Sequence, residues 1–296
     1  MEQAKFSGRK IGLMSDMHGN YPAFRACFDD ALQRGADSFL FLGDFVSDLA
    51  QPQETLDLLY EIRNTFPTVC LRGNRERYML EREMGHSSFS HGSKSGSLLF
   101  TYEHLRQKDL DFFRGLKISD TIEINGISLE ISHASMENDR YYFDHTDGNA
   151  ACIFPQMKSN YLLTGHSHKQ FILRDGNRTI INPGSVGLPH CGKPLAQYAL
   201  LDLHNGTISW QLRDVAYDVA SVIHAQFALG LVGYAKYWAI GVLYDIITGE
   251  EWVLNLLNHV QAAGDVTNED TWRSVAAGLG MKETEEDILK FFQNRL

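Results

Sequence analysis

The chain has 296 residues, 44% hydrophobic and 22% charged, so it can bury a sizeable core and is too apolar to stay disordered. Its formal net charge of -10 argues against a nonspecific nucleic-acid binder, which needs a surplus of Lys and Arg to displace phosphate counterions.

Residues 1–5 lack the charged-then-apolar pattern of a secretory leader; Gly8, Arg9 and Lys10 precede a short apolar run of strand length. Between Lys10 and Cys70 a cycle repeats: apolar run, polar turn, amphipathic segment of helix length, apolar run. Strands are predicted at 10–15, 38–42 and 68–71, with helices over 21–34 and 53–64 and Gly35 stopping the first helix. Such βαβ crossovers need a parallel sheet, whose ligands collect beyond the carboxyl ends of the strands. Each run ends in polar residues: Asp16-Met-His18, then Gly-Asp44, then Arg72-Gly-Asn74-Arg75-Glu76.

A mostly helical stretch over 75–115 follows. Strands return at 121–124 and 127–132, joined by Asn125-Gly126, a strong hairpin signal. The second of these ends at His133. Further runs at 161–164, 171–174, 179–181, 198–203 and 207–213 predict a second, mixed sheet, with Asn205-Gly206 as another tight turn. The first of them leads into Gly165-His166-Ser-His168. Two sheets face to face with helices outside make an α/β fold, a four-layer α-β-β-α sandwich of two mixed sheets.

Beyond Val215 the pattern is helical and rich in acidic residues. Residues 1–215 are therefore read as one domain and 216–296 as a C-terminal helical extension. The most apolar part, 219–247, contains His224, Gln226, Lys236 and Asp245, so it reads as amphipathic helices rather than a membrane span. Phe227, Leu231, Tyr234, Trp238 and Val242 recur at helical spacing as an apolar stripe that covers the core or pairs subunits in a homo-oligomer. The cysteines, Cys27, Cys70, Cys152 and Cys191, form no Cys-x-x-Cys pair; this fits a reducing, cytoplasmic setting.

Each polar cluster has a plain reading when taken alone. Asp16-x-His18 is a helix cap beside an incidental histidine, Gly43-Asp44 and Gly73-Asn74 are turns, and His133 is a core histidine. Gly165-His166-Ser-His168 says more, because histidines two apart on an extended chain point to one side and can share a metal. Five such clusters, each at the carboxyl end of a predicted strand, are not a coincidence of turns.

In this order the clusters resemble the motifs of the calcineurin-like metallophosphoesterases: Asp-x-His, Gly-Asp, Gly-Asn, a lone His and Gly-His-x-His. The run Asn182-Pro183-Gly184-Ser185-Val186-Gly187 resembles the small bacterial and archaeal phosphodiesterases of that superfamily, and the likeness spans about residues 9–213. It implies one metal on Asp16, His18 and His168, a second on Asn74, His133 and His166, and Asp44 bridging both. It makes the protein a phosphoesterase acting on phosphodiesters, phosphoanhydrides or activated phosphomonoesters, small nucleotides included. Asp44, Asn74 and His133 would then be catalytic. A donor set of His, Asp and Asn without Cys suits Mn, Fe, Zn, Co or Ni better than Ca, with Mn or Fe preferred by the resemblance. Between two such cations a bridging water would ionise near neutral pH and serve as nucleophile.

Arg72-Gly-Asn74-Arg75-Glu76 also resembles the Arg-Gly-Asn-His-Glu of the serine/threonine protein phosphatases, with Arg75 where many members carry a histidine that protonates the leaving group. A protein phosphatase is thus the alternative reading, and a catalytically dead scaffold of the same fold a more remote one. Arginine cannot give up a proton at neutral pH, yet its planar fork can hold phosphate oxygens, so Arg75, with Arg72 and Asn74, is assigned to substrate binding. Tyr141, Tyr142 and Phe143 read as packing or as a stacking surface for a base. His145 and His190 are the places to look for a missing proton donor. Asn182–Gly184 reads as a turn that supports the site.

Overall fold

The computed structural model describes residues 8–146, 148–204 and 206–295; the opening residues read for a leader lie outside them. Two five-stranded sheets pack face to face. The first contains β1 (Lys10–Met14), β2 (Ser38–Phe41) and β3 (Thr68–Cys70), parallel, with α1 (Tyr21–Gln33) and α2 (Pro52–Thr65) as crossovers. After α3 (Asn74–Glu83), α4 (Gly96–Glu103) and α5 (Gln107–Gly115) come β4 (Ser119–Ile124) and β5 (Ile127–Ser132), then β6 (Tyr161–Leu163), β7 (Gln170–Asp175) and β8 (Arg178–Pro183). These form the second sheet in the order β4-β5-β6-β8-β7. Asn125 and Gly126 both take positive φ, 52° and 78°, as a two-residue hairpin turn requires.

Strand alternation sorts the layers. Met14, Phe39 and Phe41 face out to Phe24, Phe28 and Ile62 of the helices. Ile11, Leu13, Leu40 and Leu42 face in, meeting Ile124, Leu129, Ile131, Leu163 and Ile181 of the second sheet. The outer face of that sheet, through Leu162, Phe171 and Ile180, packs on Phe143, Ile153 and Phe154. Two 3-10 helices, Gly148–Cys152 and Phe154–Gln156, lie in this fourth layer.

The last two strands, β9 (Ala196–His204) and β10 (Thr207–Val215), correct the sequence reading: they join the first sheet rather than the second. β9 runs antiparallel to β1, pairing Leu13 with Ala199 and Lys10 with Asp202. The β1–β2 crossover leaves one edge of β1 open, and the apolar β9, buried from Ala196 to Leu201, covers it. Thr207 pairs with His204 across the hairpin, while Asn205 of the expected turn lies outside the described residues.

Five helices follow among the described residues: α6 (Val219–Ala228), α7 (Leu231–Thr248), α8 (Trp252–Ala262), α9 (Glu269–Gly278) and α10 (Glu285–Gln293). Ile223, Leu243, Leu256, Trp272 and Ile288 form their shared core, which also takes in Leu49 and Leu188 from the sheet loops. The apolar stripe expected through Phe227 to Val242 is not one continuous helix face. Phe227 belongs to α6, Gly230 breaks the chain with φ 85°, and Lys236, at φ 47° and ψ -122°, kinks α7. Leu231, Ala235 and Ala239 pack on Phe100 of α4, and Val242 turns to the helical core. No helix among the described residues is long and apolar enough to cross a membrane.

Candidate metal centre

The loops leaving β1 and β2 run side by side past the ends of their strands. Asp16 N–H donates to Gly43 O at 3.0 Å, and His18 N–H to Asp44 O at 2.9 Å. Glu76 then ties in the loop after β3: its carboxylate accepts the backbone N–H groups of Asp44 (2.9 Å), Phe45 (2.7 Å) and Gly73 (2.9 Å). Gly73 is required by space, since a Cβ there would stand 2.1 Å from Asp44 Oδ1. From the second sheet, His166 N–H donates to Asp16 Oδ2 at 3.0 Å, and Asn182 Nδ2 donates to Gly165 O and Ser167 Oγ. The Asn182 turn thus supports the site, as its sequence suggested.

Backbone strain collects at the same places. Asp16, His18, Asp44, His166 and His168 all have φ between 52° and 66°, a region that costs a non-glycine residue about 1–3 kcal/mol. Five such residues in one place are held only because the surrounding loops are over-determined by hydrogen bonds.

The side chains converge in two groups, Asp16 with His18 and His168, and Asp44 with His133 and His166. Within each group the nitrogen and oxygen atoms lie within 4.8 Å of one another. Asn74 joins the second group, its Oδ1 3.2 Å from His133 Nε2. Asp44 stands between the groups, with Oδ2 3.7 Å from His18 Nε2 and 3.5 Å from His133 Nε2. All seven residues singled out by the motifs are therefore assembled in one place.

Outer hydrogen bonds decide which way the imidazole lone pairs point. Nδ1 of His133 lies 2.9 Å from Leu42 O, and Nδ1 of His168 lies 2.8 Å from Leu188 O. A carbonyl only accepts, so both Nδ1 atoms carry a proton, and in the neutral rings that bind metal both Nε2 atoms are bare. His18 Nδ1 lies 3.3 Å from the Asp48 carboxylate without hydrogen-bond geometry; the negative charge beside it favours the proton on Nδ1 and a bare Nε2. Bare nitrogens then face each other across 3.1 Å between His18 and His168, and His133 Nε2 faces the Asn74 carbonyl oxygen. Asp16 Oδ1 is buried with no hydrogen-bond partner among the described residues. Lone pairs aimed at one another in a buried site repel unless a cation lies between them, so these residues fit metal ions.

Electrostatics divide the histidines: burial opposes a charge on His133, but Asp44, Asp16 and Glu76 raise its pKa, so a metal at that ring competes with a proton. Burial opposes the Asp16 charge, yet His168, His133 and His18 hold its carboxyl below the usual range. Burial and the neighbouring His133 push His166 down to about 3, keeping it neutral, the form that binds metal.

Asp48, which the sequence reading missed, organises the outer shell. It is 1% exposed; burial works against its charge, but Arg75 and then His18 hold its carboxyl low. Arg75 Nη2 lies 2.9 Å from Asp48 Oδ2, while Oδ1 accepts Trp238 Nε1–H at 2.8 Å and Ser97 Oγ–H at 3.2 Å. Its one signal in the sequence was its place four residues after Asp44.

These groups open into a cleft of about 290 Å³. Arg75, Tyr142 and His190 line it, whereas Arg72 and His145 are not among its lining residues. Phe143 is buried in the outer layer of the second sheet, with Tyr141 packed beside it. Trp238 and Val242, read from the sequence only as an apolar stripe, line the cleft with Asp245 of α7 and with Val253 and Leu254 of α8, none of which the sequence connected with the site.

Residues 10–206 match the family model for the calcineurin-like phosphoesterase superfamily domain. An uncharacterized protein of Methanocaldococcus jannaschii is 28% identical over 234 residues, 71% of this chain and 88% of that protein. A metallophosphoesterase from Sphaerobacter thermophilus has a similar structure: TM-score 0.64 at 20% identity, covering 82% of this chain and 99% of its own. A hypothetical protein from Pyrococcus horikoshii gives 0.68 at 17% identity, with 83% and 99% covered. At those identities the two structures speak for the fold alone.

Proposed function

The chain belongs to the calcineurin-like phosphoesterase superfamily, and from that premise we propose that it is a dinuclear metal-dependent phosphoesterase. Its substrates in this reading are phosphodiesters, phosphoanhydrides or activated phosphomonoesters, small nucleotides among them. The observation that carries it is the convergence of bare imidazole nitrogens and carboxylate oxygens on two adjacent points, with Asp44 between them. Asp16, His18 and His168 would hold one cation, Asn74, His133 and His166 the other, and Asp44 both, with Mn or Fe preferred and Zn, Ni or Co also suited to these donors. Such a pair, when bound, supplies positive charge against the phosphoryl oxygens and acidifies water.

The chain's own residues do the rest. Arg75 offers a guanidinium to phosphate oxygens, with the Asp48 carboxylate 2.9 Å from its Nη2. Asp48 also favours the His18 tautomer with a bare Nε2, and the carbonyls of Leu42 and Leu188 hold those of His133 and His168. The free thiols of Cys27, Cys70, Cys152 and Cys191 support a reducing, cytoplasmic setting.

The protein-phosphatase alternative rests on Arg72-Gly73-Asn74 and Glu76. Glu76 accounts for itself as a backbone clamp, and Arg72 does not line the cleft, which leaves that reading the weaker one. A catalytically dead scaffold is disfavoured because every donor is present. The test is metal analysis of the purified protein, then a phosphate-release screen over monoesters, diesters, anhydrides and a phosphopeptide. Two equivalents of transition metal and metal-dependent hydrolysis are expected; a protein that binds no metal tightly and releases no phosphate contradicts the reading.

A further inference from the structure

The cleft is lined by two chemically different sets of residues. The converging donors and Arg75 share it with an apolar set, Trp238, Val242, Val253, Leu254 and Leu188, of which Trp238 and Leu188 adjoin the donors and Val242, Val253 and Leu254 come from α7 and α8. Leu254 is 43% exposed, and so is Tyr142, which also lines the cleft. An exposed leucine alone means little, but this one continues an apolar surface that shares a cleft with the candidate metal centre.

The apolar side chains offer no free donor to a second anion, and His190, a basic group of the same lining, already faces Glu251. Arg75 is the single Lys or Arg among the lining residues, and Asp48 already holds it. Glu251 faces His190 at 3.4 Å and Lys169 at 3.2 Å. Asp245 is 1% exposed, and burial pushes its carboxyl well above the usual range. Its Oδ1 accepts the Val253 N–H at 2.9 Å. A phosphate placed here would meet carboxyl groups and aliphatic carbon and lose its hydration without replacement. An apolar ring would instead gain by leaving water. Size permits a ring: a dry cavity of about 150 Å³ admits benzene, and the open cleft, the space before the metal donors included, measures about 290 Å³.

We propose that the wall built by α7 and α8 is a subsite for the organic part of the substrate, which is a small ester carrying one phosphoryl group and one apolar, ring-sized group rather than a polyphosphate or a polymer. This rests on the phosphoesterase reading and narrows it.

The test uses the full-length, Mn-loaded protein and two non-hydrolysable probes, methylphosphonate and phenylphosphonate. Their dissociation constants are measured by calorimetry and their inhibition of nitrophenyl phosphate hydrolysis in parallel. Phenylphosphonate should bind at least about tenfold more tightly, given what burying an aromatic ring contributes. Leu254→Ala, at an exposed position that the fold tolerates, should cut that ratio at least about threefold, and Tyr142→Ala should lower it from the other side. Equal, metal-dependent binding of both probes overturns the subsite while leaving the phosphoesterase reading in place, as does a ratio untouched by Leu254→Ala. Absence of metal-dependent binding together with absence of hydrolysis takes both down.

Discussion

Trp238 Nε1 donates a 2.8 Å hydrogen bond to Asp48 Oδ1, joining residues 190 positions apart. Through it, the helical extension reaches the carboxylate that lies beside His18 and Arg75. The extension is therefore part of the scaffold of the site, and the site depends on how α7 packs.

Trp238→Phe keeps an aromatic ring and removes the donor. A hydrogen bond to a charged acceptor contributes about 1.5–3 kcal/mol, so the unfolding free energy of the metal-free protein should fall by about that much in urea titrations. Metal affinity should weaken by about tenfold, since outer-shell partners tune ligand histidines. An unchanged midpoint and affinity would show that the bond is incidental.

Asp44→Asn removes the one carboxylate standing between the two groups. The protein should stay folded by circular dichroism while hydrolysis falls by at least about 10²-fold, because sites of this kind accelerate the reaction chiefly by stabilising the charge that develops in the transition state. Hydrolysis within threefold of the parent at saturating metal would falsify the two-metal assignment. His166→Ala and His168→Ala should each lose about one equivalent of metal, and from different sites.

Arg75 occupies the position where the resembling phosphatases carry a proton-donating histidine, so leaving groups must depart with little protonation. Across a series of substituted phenyl phosphates and one alkyl phosphate, kcat/KM should fall steeply as leaving-group pKa rises, general acid catalysis being worth about 10²- to 10⁴-fold. Arg75→His should flatten that slope and raise KM, since it gives up the guanidinium held against Asp48. If the parent cleaves the alkyl ester as fast as nitrophenyl phosphate, an acid is present after all, and His190, which lines the cleft, comes first.

Asp245 gives a pH signature independent of metal. Burial raises its folded pKa above the ordinary 3.8, so the protonated carboxyl favours the fold fully below that value. The contribution is lost as pH rises through the folded pKa. Asp245→Asn keeps an oxygen for the Val253 N–H and mimics the protonated state at every pH. The variant should therefore gain stability relative to the parent over the range above the ordinary 3.8 in metal-free thermal scans. A constant difference across that range would mean Asp245 is ionised throughout.

Truncation after Val215 exposes Leu49 and Leu188, now buried against the helical core, and unpairs Asp48 from Trp238. Insoluble or oligomer-altered protein is expected by size-exclusion chromatography, because bare apolar surface of this kind associates. A soluble, fully active fragment of unchanged assembly state would make 216–296 dispensable.

The candidate donors are legible because each sits at the carboxyl end of a strand whose apolar run is plain in the sequence. The support around them is less so. Glu76 follows Arg75 directly and yet serves as a clamp on three backbone N–H groups, a role set by two loops meeting in space. β9 and β10 are legible as strands but not as members of the first sheet, since alternation marks a buried strand without saying which edge it covers. The stripe from Phe227 to Val242 keeps its helical period in the sequence, while Gly230 and Lys236 break it in three dimensions.

By itself, the sequence determined that Asp16, Asp44, Asn74, His133, His166 and their neighbours would meet. Parallel strands carry Asp16, Asp44 and Asn74 to one end of the first sheet and His133 and His166 to one end of the second, and the order of the motifs resembles a family in which those two ends share a site. Only the tertiary structure decided that Asp48 lies beside His18, that Trp238 holds Asp48, and that α7 and α8 wall the cleft. Helical periodicity fixes which side of a helix is apolar, but the partner it packs against depends on the shape of everything already folded.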